Sequence, residues 1–306
     1  MSGQNILRVA TFNIRYDGHK SPPVSENENI VIPSAFDGEQ PWYVRRKKVA
    51  EAILFHRVDI IGLQEVLYNQ VKDLEVLLGE DWQWTGVGRD DGKNKGEFAP
   101  IFYKKRFKLL ESKNLWLSNT PDVPSKGWDA SLPRIVTQAS FRDTLTNTTF
   151  WFFNTHFDDR GHIARKESAK ILIKEYHELS KVCSDAVILT GDFNCKEEDD
   201  PYQILTGKKY SKLTPEELEL ESAPFGDTRY EISRPKTSSF GNSDTFTGFS
   251  PDVEPIRIDF IFVSNKTLGS VEISNHGVMS NRYDDGMYIS DHRPVIADLI
   301  FKTNVS

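Results

Sequence analysis

Cysteine is scarce in this 306-residue chain: only Cys183 and Cys195 occur. Two thiols make no disulfide framework, and they read as free cysteines of a reducing compartment. No CxxC pair and no HExxH run occurs, so zinc has no recognisable ligand set. The N-terminus, "MSGQNILRVATFN", lacks the basic segment and apolar run of a signal peptide. No stretch approaches the roughly 18 uninterrupted apolar residues of a membrane span. Excess positive charge is missing as well. The formal net charge of −7 argues against gripping a long duplex, because such affinity comes from neutralising many phosphates. These absences leave a soluble, cytoplasmic protein, with the nucleus open, and a short, single-stranded or small phosphorylated partner.

The composition is that of an ordinary globular domain, 38% hydrophobic and 27% charged. With no internal repeat and no strong linker, residues 1–306 read as a single domain. Two irregular stretches interrupt it. Residues 18–40, "GHKSPPVSENENIVIPSAFDGEQ", read as a long loop of the kind that is often functional. Residues 196–254 form a second loop insertion with one helix signal, "TPEELELE", capped by Thr214 with Pro215 at the first helical position.

Eight runs rich in Val, Ile, Phe and Thr predict strands: "ILRVATFNI", "VDIIGLQEV", "APIFY", "IVTQASF", "TFWFFNTHF", "AVILTGDF", "IRIDFIFV" and "PVIADLIF". Three stripes at a period near 3.6 predict helices: Val49, Ala52, Ile53 and His56; Leu67, Val71, Leu74 and Leu78; Ala169, Leu172, Tyr176 and Leu179. Many strands without strict βαβ alternation predict packed sheets with helices outside.

Six of these strand ends share a peculiarity. Asn13, Glu65, His156 with Asp158, Asp192 with Asn194, Asp259, and Asp291 with His292 lie in or beside runs that ought to be buried. One such polar group is a turn; six, limited to Asn, Glu, Asp and His, predict groups that pair with one another or with a metal. Oxygen donors suit a hard cation such as Mg²⁺, with Mn²⁺ as a substitute, and one or two carboxylates suffice. Glu65, Asp291 and the amide oxygen of Asn13 fit that requirement. Asp192 would take a proton from water, while His156 and His292 would donate to phosphoryl oxygens. Phosphoester hydrolysis is the chemistry this grouping suits best.

In order, "TFNIR", "LQEV", "NTHFD", "GDFN", "IDFIF" and "SDHRPV" resemble the endonuclease/exonuclease/phosphatase superfamily, from about Leu7 to Leu299. The resemblance implies an α/β fold, a four-layer sandwich of two mixed, mainly antiparallel sheets packed face to face, with the site at one edge. It implies that Glu65 is the main metal ligand, with Asn13 and Asp291 near it. It further implies that Asp192 orients and deprotonates water, that Asn194 holds a phosphate oxygen, and that Asp259 orients His292. Glu97 in "GEFAPIFY" resembles the acid that orients His156, which would stabilise the phosphorane or protonate the leaving group. Asn154 in "NTHFD" joins Arg15 and Arg134 as a candidate substrate contact. The runs "RRKK" (Arg45 to Lys48) and "YKKRFK" read as solvated faces. Trp128, Phe246 and Phe249 suit either base stacking or anchoring. Cys195 reads as a bystander, because water rather than a thiol attacks.

The pieces "TFNIRYD", "LQEVL" and "GWDASLPR" are most similar to a branch near nocturnin and CCR4 deadenylase-like proteins. That leans the expectation toward an Mg²⁺-dependent nuclease on single-stranded nucleic acid, acting as a 3′ exonuclease. The alternative is a phosphomonoesterase on a soluble nucleotide or phosphorylated metabolite, and a third reading is a binding module without catalysis. A groove lined by Arg and Lys would mark the nuclease; a confined pocket would mark the phosphatase.

Overall fold

The computed structural model describes residues 5–25, 38–207, 224–233 and 238–302. Its first strand, β1 (Ile6–Asn13), leads to helix α1 (Trp42–Phe55), β2 (Ile60–Gln64) and α2 (Tyr68–Leu78). Strands β3 (Trp82–Thr85), β4 (Ile101–Lys104), β5 (Phe107–Trp116), β6 (Ile135–Asp143) and β7 (Thr149–His156) follow. Helix α3 (His162–Val182) precedes β8 (Ala186–Asp192) and the short α4 (Asp200–Thr206). The chain closes with β9 (Phe225–Asp227), β10 (Phe240–Gly241), β11 (Asp259–Ser264), β12 (Val271–Val278) and β13 (Val295–Phe301).

These strands form two mixed sheets, of order β10-β12-β13-β1-β2-β4-β3 and β5-β6-β7-β8-β11-β9. Period-2 alternation explains the layering. On β1, Leu7 and Val9 enter the core between the sheets, whereas Ala10 and Phe12 face the other way, onto α1 and α2. On β8, Ala186 and Ile188 face the inter-sheet core while Val187 and Leu189 pack against α3 and α4. The helix stripes meet these outer faces as predicted. Val49, Ala52 and Ile53 of α1, Val71, Leu74 and Leu78 of α2, and Ala169, Leu172 and Tyr176 of α3 are buried. The outcome is the four-layer α/β sandwich.

All eight predicted strand runs are strands. Residues 196–254 need correction: besides loop, they contain α4, β9 and β10, and the two strands edge the two sheets. The helix signal at Thr214 lies outside the described residues, as does 26–37 within the first long loop. The "RRKK" reading is also corrected. Arg45 and Arg46 are fully buried. Arg46 donates to Asp73 Oδ2 at 2.8 Å. Arg45 Nη1 donates to the carbonyls of Ile14 (2.8 Å) and Ile289 (2.7 Å), joining the segment after β1 to the one before His292. Burial pulls the Arg45 pKa down to about 10, so the guanidinium is charged at neutral pH and uses its donors to satisfy loop carbonyls.

Candidate active site

Moving along the inter-sheet face, each central strand changes from apolar to polar. β7 presents Phe150, Phe152, Asn154 and His156; β8, running parallel, presents Ala186, Ile188, Thr190 and Asp192 directly beside them. β11, antiparallel to β8, sets Asp259 opposite Asp192. On the facing sheet, Asn13 of β1 is paired in register with Gln64 of β2. The converging side chains are therefore a consequence of register: one polar end per strand, all at the same end of the sandwich.

An intermediate layer of uncharged polar groups separates this end from the apolar core. Asn154 Oδ1 accepts from Gln64 Nε2 (2.7 Å) and Thr190 Oγ1 (3.2 Å). Its Nδ2 donates across to the carbonyls of Leu63 (2.8 Å) and Pro100 (3.0 Å). Asn154 is thus a bridge between the sheets with its hydrogen bonds spent inside. It does not line the cavity, which corrects its reading as a substrate contact. Gly62 is required here: a Cβ would fall 2.3 Å from Asn154 Oδ1 and 2.4 Å from Thr190 Oγ1.

At the outermost layer, Asn13 Nδ2 donates to Glu65 Oε1 and to Asp192 Oδ2, both at 3.0 Å. Asn13 Oδ1 accepts the Arg15 backbone N–H at 3.0 Å. The amide oxygen is engaged with its own chain and the NH₂ ties two carboxylates together, so Asn13 bridges Glu65 and Asp192 instead of offering the expected oxygen. Continued alternation would send Glu65 outward with Ile61 and Leu63. Its left-handed backbone, φ 60°, ends the strand, and the carboxylate joins Asn13. Arg15 (φ 61°) and Asn194 (φ 47°) share this conformation, which costs a non-glycine residue roughly 1 kcal/mol or more.

The two histidines occupy opposite states. His292 Nδ1 lies 2.8 Å from Asp259 Oδ2, and its Nε2 lies 3.6 Å from Asp192 Oδ2. Burial pulls its pKa down, but Asp259 and then Asp192 push it up to about 10. His156 is held well below its ordinary value, by burial first and then by Arg134 and Arg89. Asn194 Nδ2 donates to the Phe157 carbonyl (3.0 Å) and to His156 Nε2 (3.1 Å). The neutral imidazole therefore carries its proton on Nδ1, which faces Glu97 Oε2 at 3.8 Å. Glu97 itself is held by two parallel bonds from Arg89 (2.8 and 2.9 Å), and burial pushes its pKa up to about 7. The expected Glu97–His156 hydrogen bond is thus open by nearly an ångström, because Arg89 holds the acid. Between the histidines, burial and Asp259 push Asp192 up to about 7, suiting it to exchange a proton near neutrality.

Of these, Glu65, Glu97, His156, Asp192, Asn194 and His292 line one cavity of about 400 Å³, together with Arg15, Arg134, Asp291 and Phe246, while Asn13, Asp259 and Arg89 stand behind its wall. Arg15 lies 3.2 Å from Glu39 and 3.6 Å from Glu65. Arg134 bonds Asp158 (3.2 Å) and Asp159 (2.8 Å). Asp158 also accepts backbone N–H groups of Ser131 and Gly161, which welds the 127–134 loop to the end of β7. Phe246 meets His292 edge-on at 5.0 Å. Phe249 instead packs on Tyr288, and Trp128 does not line the cavity. Cys195 is buried and its thiol pKa is driven far up, so it is no nucleophile. Sequence reasoning missed Arg89, Gln64 and Arg45. Only Gln64 had a signal, lying two and four residues beyond the inward positions Gly62 and Ile60.

A metal fits one side of this cavity. Glu65 and Asp291 supply carboxylate oxygens, the donors of a hard divalent cation. Glu65 Oε2 receives only a 3.2 Å bond from the Tyr16 backbone N–H and the distant Arg15, so lone pairs remain. Asp192, Asp259 and His292 also bring ligand atoms within 4.8 Å of one another. A protonated His292 has no lone pair, so that trio suits proton holding better than coordination.

The sequence profile of the Endonuclease/Exonuclease/phosphatase family matches residues 10–292. An endonuclease/exonuclease/phosphatase structure from Bacteroides vulgatus is 33% identical with a TM-score of 0.78, covering 98% of this chain and 100% of that one. The mannosyl-6-phosphatase of Bacteroides thetaiotaomicron is 32% identical with a TM-score of 0.78, covering 96% and 100%. The CCR4-Not complex 3′-5′-exoribonuclease subunit Ccr4 of Debaryomyces hansenii is 22% identical over 304 residues, covering 85% of this chain but 36% of that protein. No helix among the described residues is long and apolar enough to cross a membrane.

Proposed function

This chain belongs to the endonuclease/exonuclease/phosphatase family, and from that premise we propose that it is a metal-dependent phosphomonoesterase acting on a soluble phosphorylated metabolite. The observation that carries the choice is the form of the site. It is a bounded depression of about 400 Å³, within the roughly 300–1,000 Å³ usual for small-molecule sites. Among the described residues no lysine lines it, and its two rim arginines are already paired with carboxylates. A nuclease would want a run of cations extending past the scissile bond. The name of the Bacteroides thetaiotaomicron relative, a mannosyl-6-phosphatase, supports the same reading.

Asp192 accepts a proton from the attacking water, and Asn13 and Asn194 hold its carboxylate in place. The His292 imidazolium donates to a phosphoryl oxygen as charge develops there, oriented by Asp259. Neutral His156, whose Nε2 accepts from Asn194, is not the expected donor, so the leaving alkoxide takes its proton from the Asp192 carboxyl that received it from water, or from solvent. Mg²⁺ or Mn²⁺ held by Glu65 and Asp291 would supply Lewis-acid polarisation of the phosphoryl group.

A second reading, a 3′ exonuclease on single-stranded nucleic acid, is favoured by the Phe246 ring at the cavity and by the name of the Debaryomyces hansenii relative. A panel of sugar phosphates, nucleotides and labelled RNA and DNA oligomers, with Mg²⁺ or Mn²⁺, separates the two. Phosphate release from monoesters with intact oligomers supports the phosphatase. Shortened oligomers and untouched monoesters reject it.

A further inference from the structure

Around the cavity, the positive charges are spoken for. Arg15 sits between Glu39 and Glu65, and Arg134 between Asp158 and Asp159. Donors nevertheless remain: besides the His292 Nε2–H and His156 Nδ1, Arg134 Nη1 is buried without a partner, on a side chain only 5% exposed. An arginine donor in that state at a cavity wall calls for a ligand oxygen, since leaving it unpaired costs about 1–3 kcal/mol. It satisfies one anionic group.

Beyond that group the walls change character. Leu132, Phe246, Ile256 and Ile258 give the cavity an apolar flank. Past Ile256 a neighbouring depression of about 370 Å³ is bordered by Glu197, Glu198, Asp244 and Glu254. Its Arg257 is neutralised by Asp227 (2.8 Å) and Glu197 (2.6 Å), leaving, among the described residues, Lys196 against the three carboxylates of Glu198, Asp244 and Glu254. A second phosphate extending this way would meet like charge in a concave surface, where the field is focused.

We infer that the site selects phosphomonoesters whose leaving group is uncharged and ring-sized, and rejects those carrying a second phosphate. The inference rests on the phosphomonoesterase reading. Apolar walls contact the flat face of such a ring, and carboxylates at the rim accept from its hydroxyls, interactions a polyanion cannot use.

The test compares kcat/KM, by phosphate release in Mg²⁺ at low salt, for p-nitrophenyl phosphate, a hexose 6-phosphate, a hexose 1,6-bisphosphate and a nucleoside diphosphate. The hexose monophosphate is expected to exceed the bisphosphate at least tenfold, a gap that shrinks at 0.5 M salt as screening rises. The double substitution Asp244→Lys, Glu254→Lys should narrow the gap about fivefold or more. A bisphosphate or diphosphate turned over as well as the monophosphate at low salt overturns the inference while leaving the phosphatase intact. So does a gap that the double variant leaves unchanged. If no monoester is hydrolysed, the functional reading fails separately. Calorimetric binding of the two hexose phosphates to Asp192→Asn protein then still decides selectivity: tighter binding of the bisphosphate overturns it.

Discussion

Take the two ends of the space between the sheets. Both are built by the same strands in the same register, and they could hardly be more different. At one end Val9, Ile60, Phe152, Ile188 and Val263 pack as a dry core. Four residues away on the same strands stand Asn13, Gln64, His156, Asp192 and Asp259, all buried. Sheet geometry brings side chains together indifferently; residue type decides whether the meeting stabilises the fold or strains it. Burying apolar groups yields roughly 1.5–3 kcal/mol per side chain, whereas burying carboxylates and imidazoles costs free energy unless every partner is right. The polar end is therefore held by devices the apolar end does not need: the Asn154–Gln64–Thr190 layer, the glycine at 62, and Arg45 tying the loops.

Substitutions at the two ends should consequently separate activity from stability. Removing Asp192 by Asp192→Ala should lower kcat by about 10²–10⁴-fold, with little loss of thermal stability. Ile188→Ala, four residues from Asp192, should do the reverse, costing about 2–5 kcal/mol in urea unfolding and leaving kcat of the folded fraction close to the parent. A variant pair that behaves alike in both assays would break the contrast. Gly62→Ala probes the border between the ends. Its Cβ would overlap Asn154 and Thr190, so a loss of about 1–3 kcal/mol should come with a reduced kcat. A fully active Gly62→Ala enzyme would mean that the middle layer does not position the catalytic one.

Adding a ligand tests the polar end from the other direction. Mg²⁺ at about 100 times its Kd should stabilise the protein by about 2.7 kcal/mol, read as a rise in melting temperature. Glu65→Gln should remove most of that rise. An unchanged rise would move the ion away from Glu65.

How much of this was legible in the sequence also follows the contrast. The fold was readable wherever a strand is buried on both faces, because such runs are apolar throughout. Five strands escaped, among them β9 and β10, which are only three and two residues long. β5 (FKLLESKNLW) lies at a sheet edge with most of its middle exposed. β12 (VEISNHGV) carries a bulge between Ile273 and Asn275 that breaks its alternation, and β3 is only four residues long. Within the cavity, strand-end residues were visible as polar groups interrupting apolar runs. Asn154 shows the limit of that signal: it is equally polar and equally placed, yet it lies one pleat too deep and serves the scaffold. Arg89 and Arg45 act from a loop and a helix, where nothing in the periodicity marks a charged residue as buried.

The smallest expected effect concerns protons in the metal-free protein. Asp192 is pushed up to about 7 by burial and Asp259, against about 3.9 in an unfolded chain. The unfolded state therefore releases this proton before the native state does, and native stability falls as pH rises from about 4 to 7. Glu97, also raised to about 7, acts with the same sign. His292, raised to about 10, stabilises fully below 6.5 and loses that contribution as pH climbs through 10. All three slopes point downward with increasing pH, opposite to an apolar end that does not titrate. His156 and His276, held neutral by burial, give the opposite slope. In EDTA, the parent's urea midpoint is therefore read against that of Asp192→Asn, and that difference should drop between pH 5 and 7 by on the order of 1–2 kcal/mol. Asp192→Asn should flatten the slope, because an amide has no proton to give up there. A parent slope no steeper than that of Asp192→Asn would mean that the site's cations outweigh burial, and that Asp192 is ionised well below neutrality.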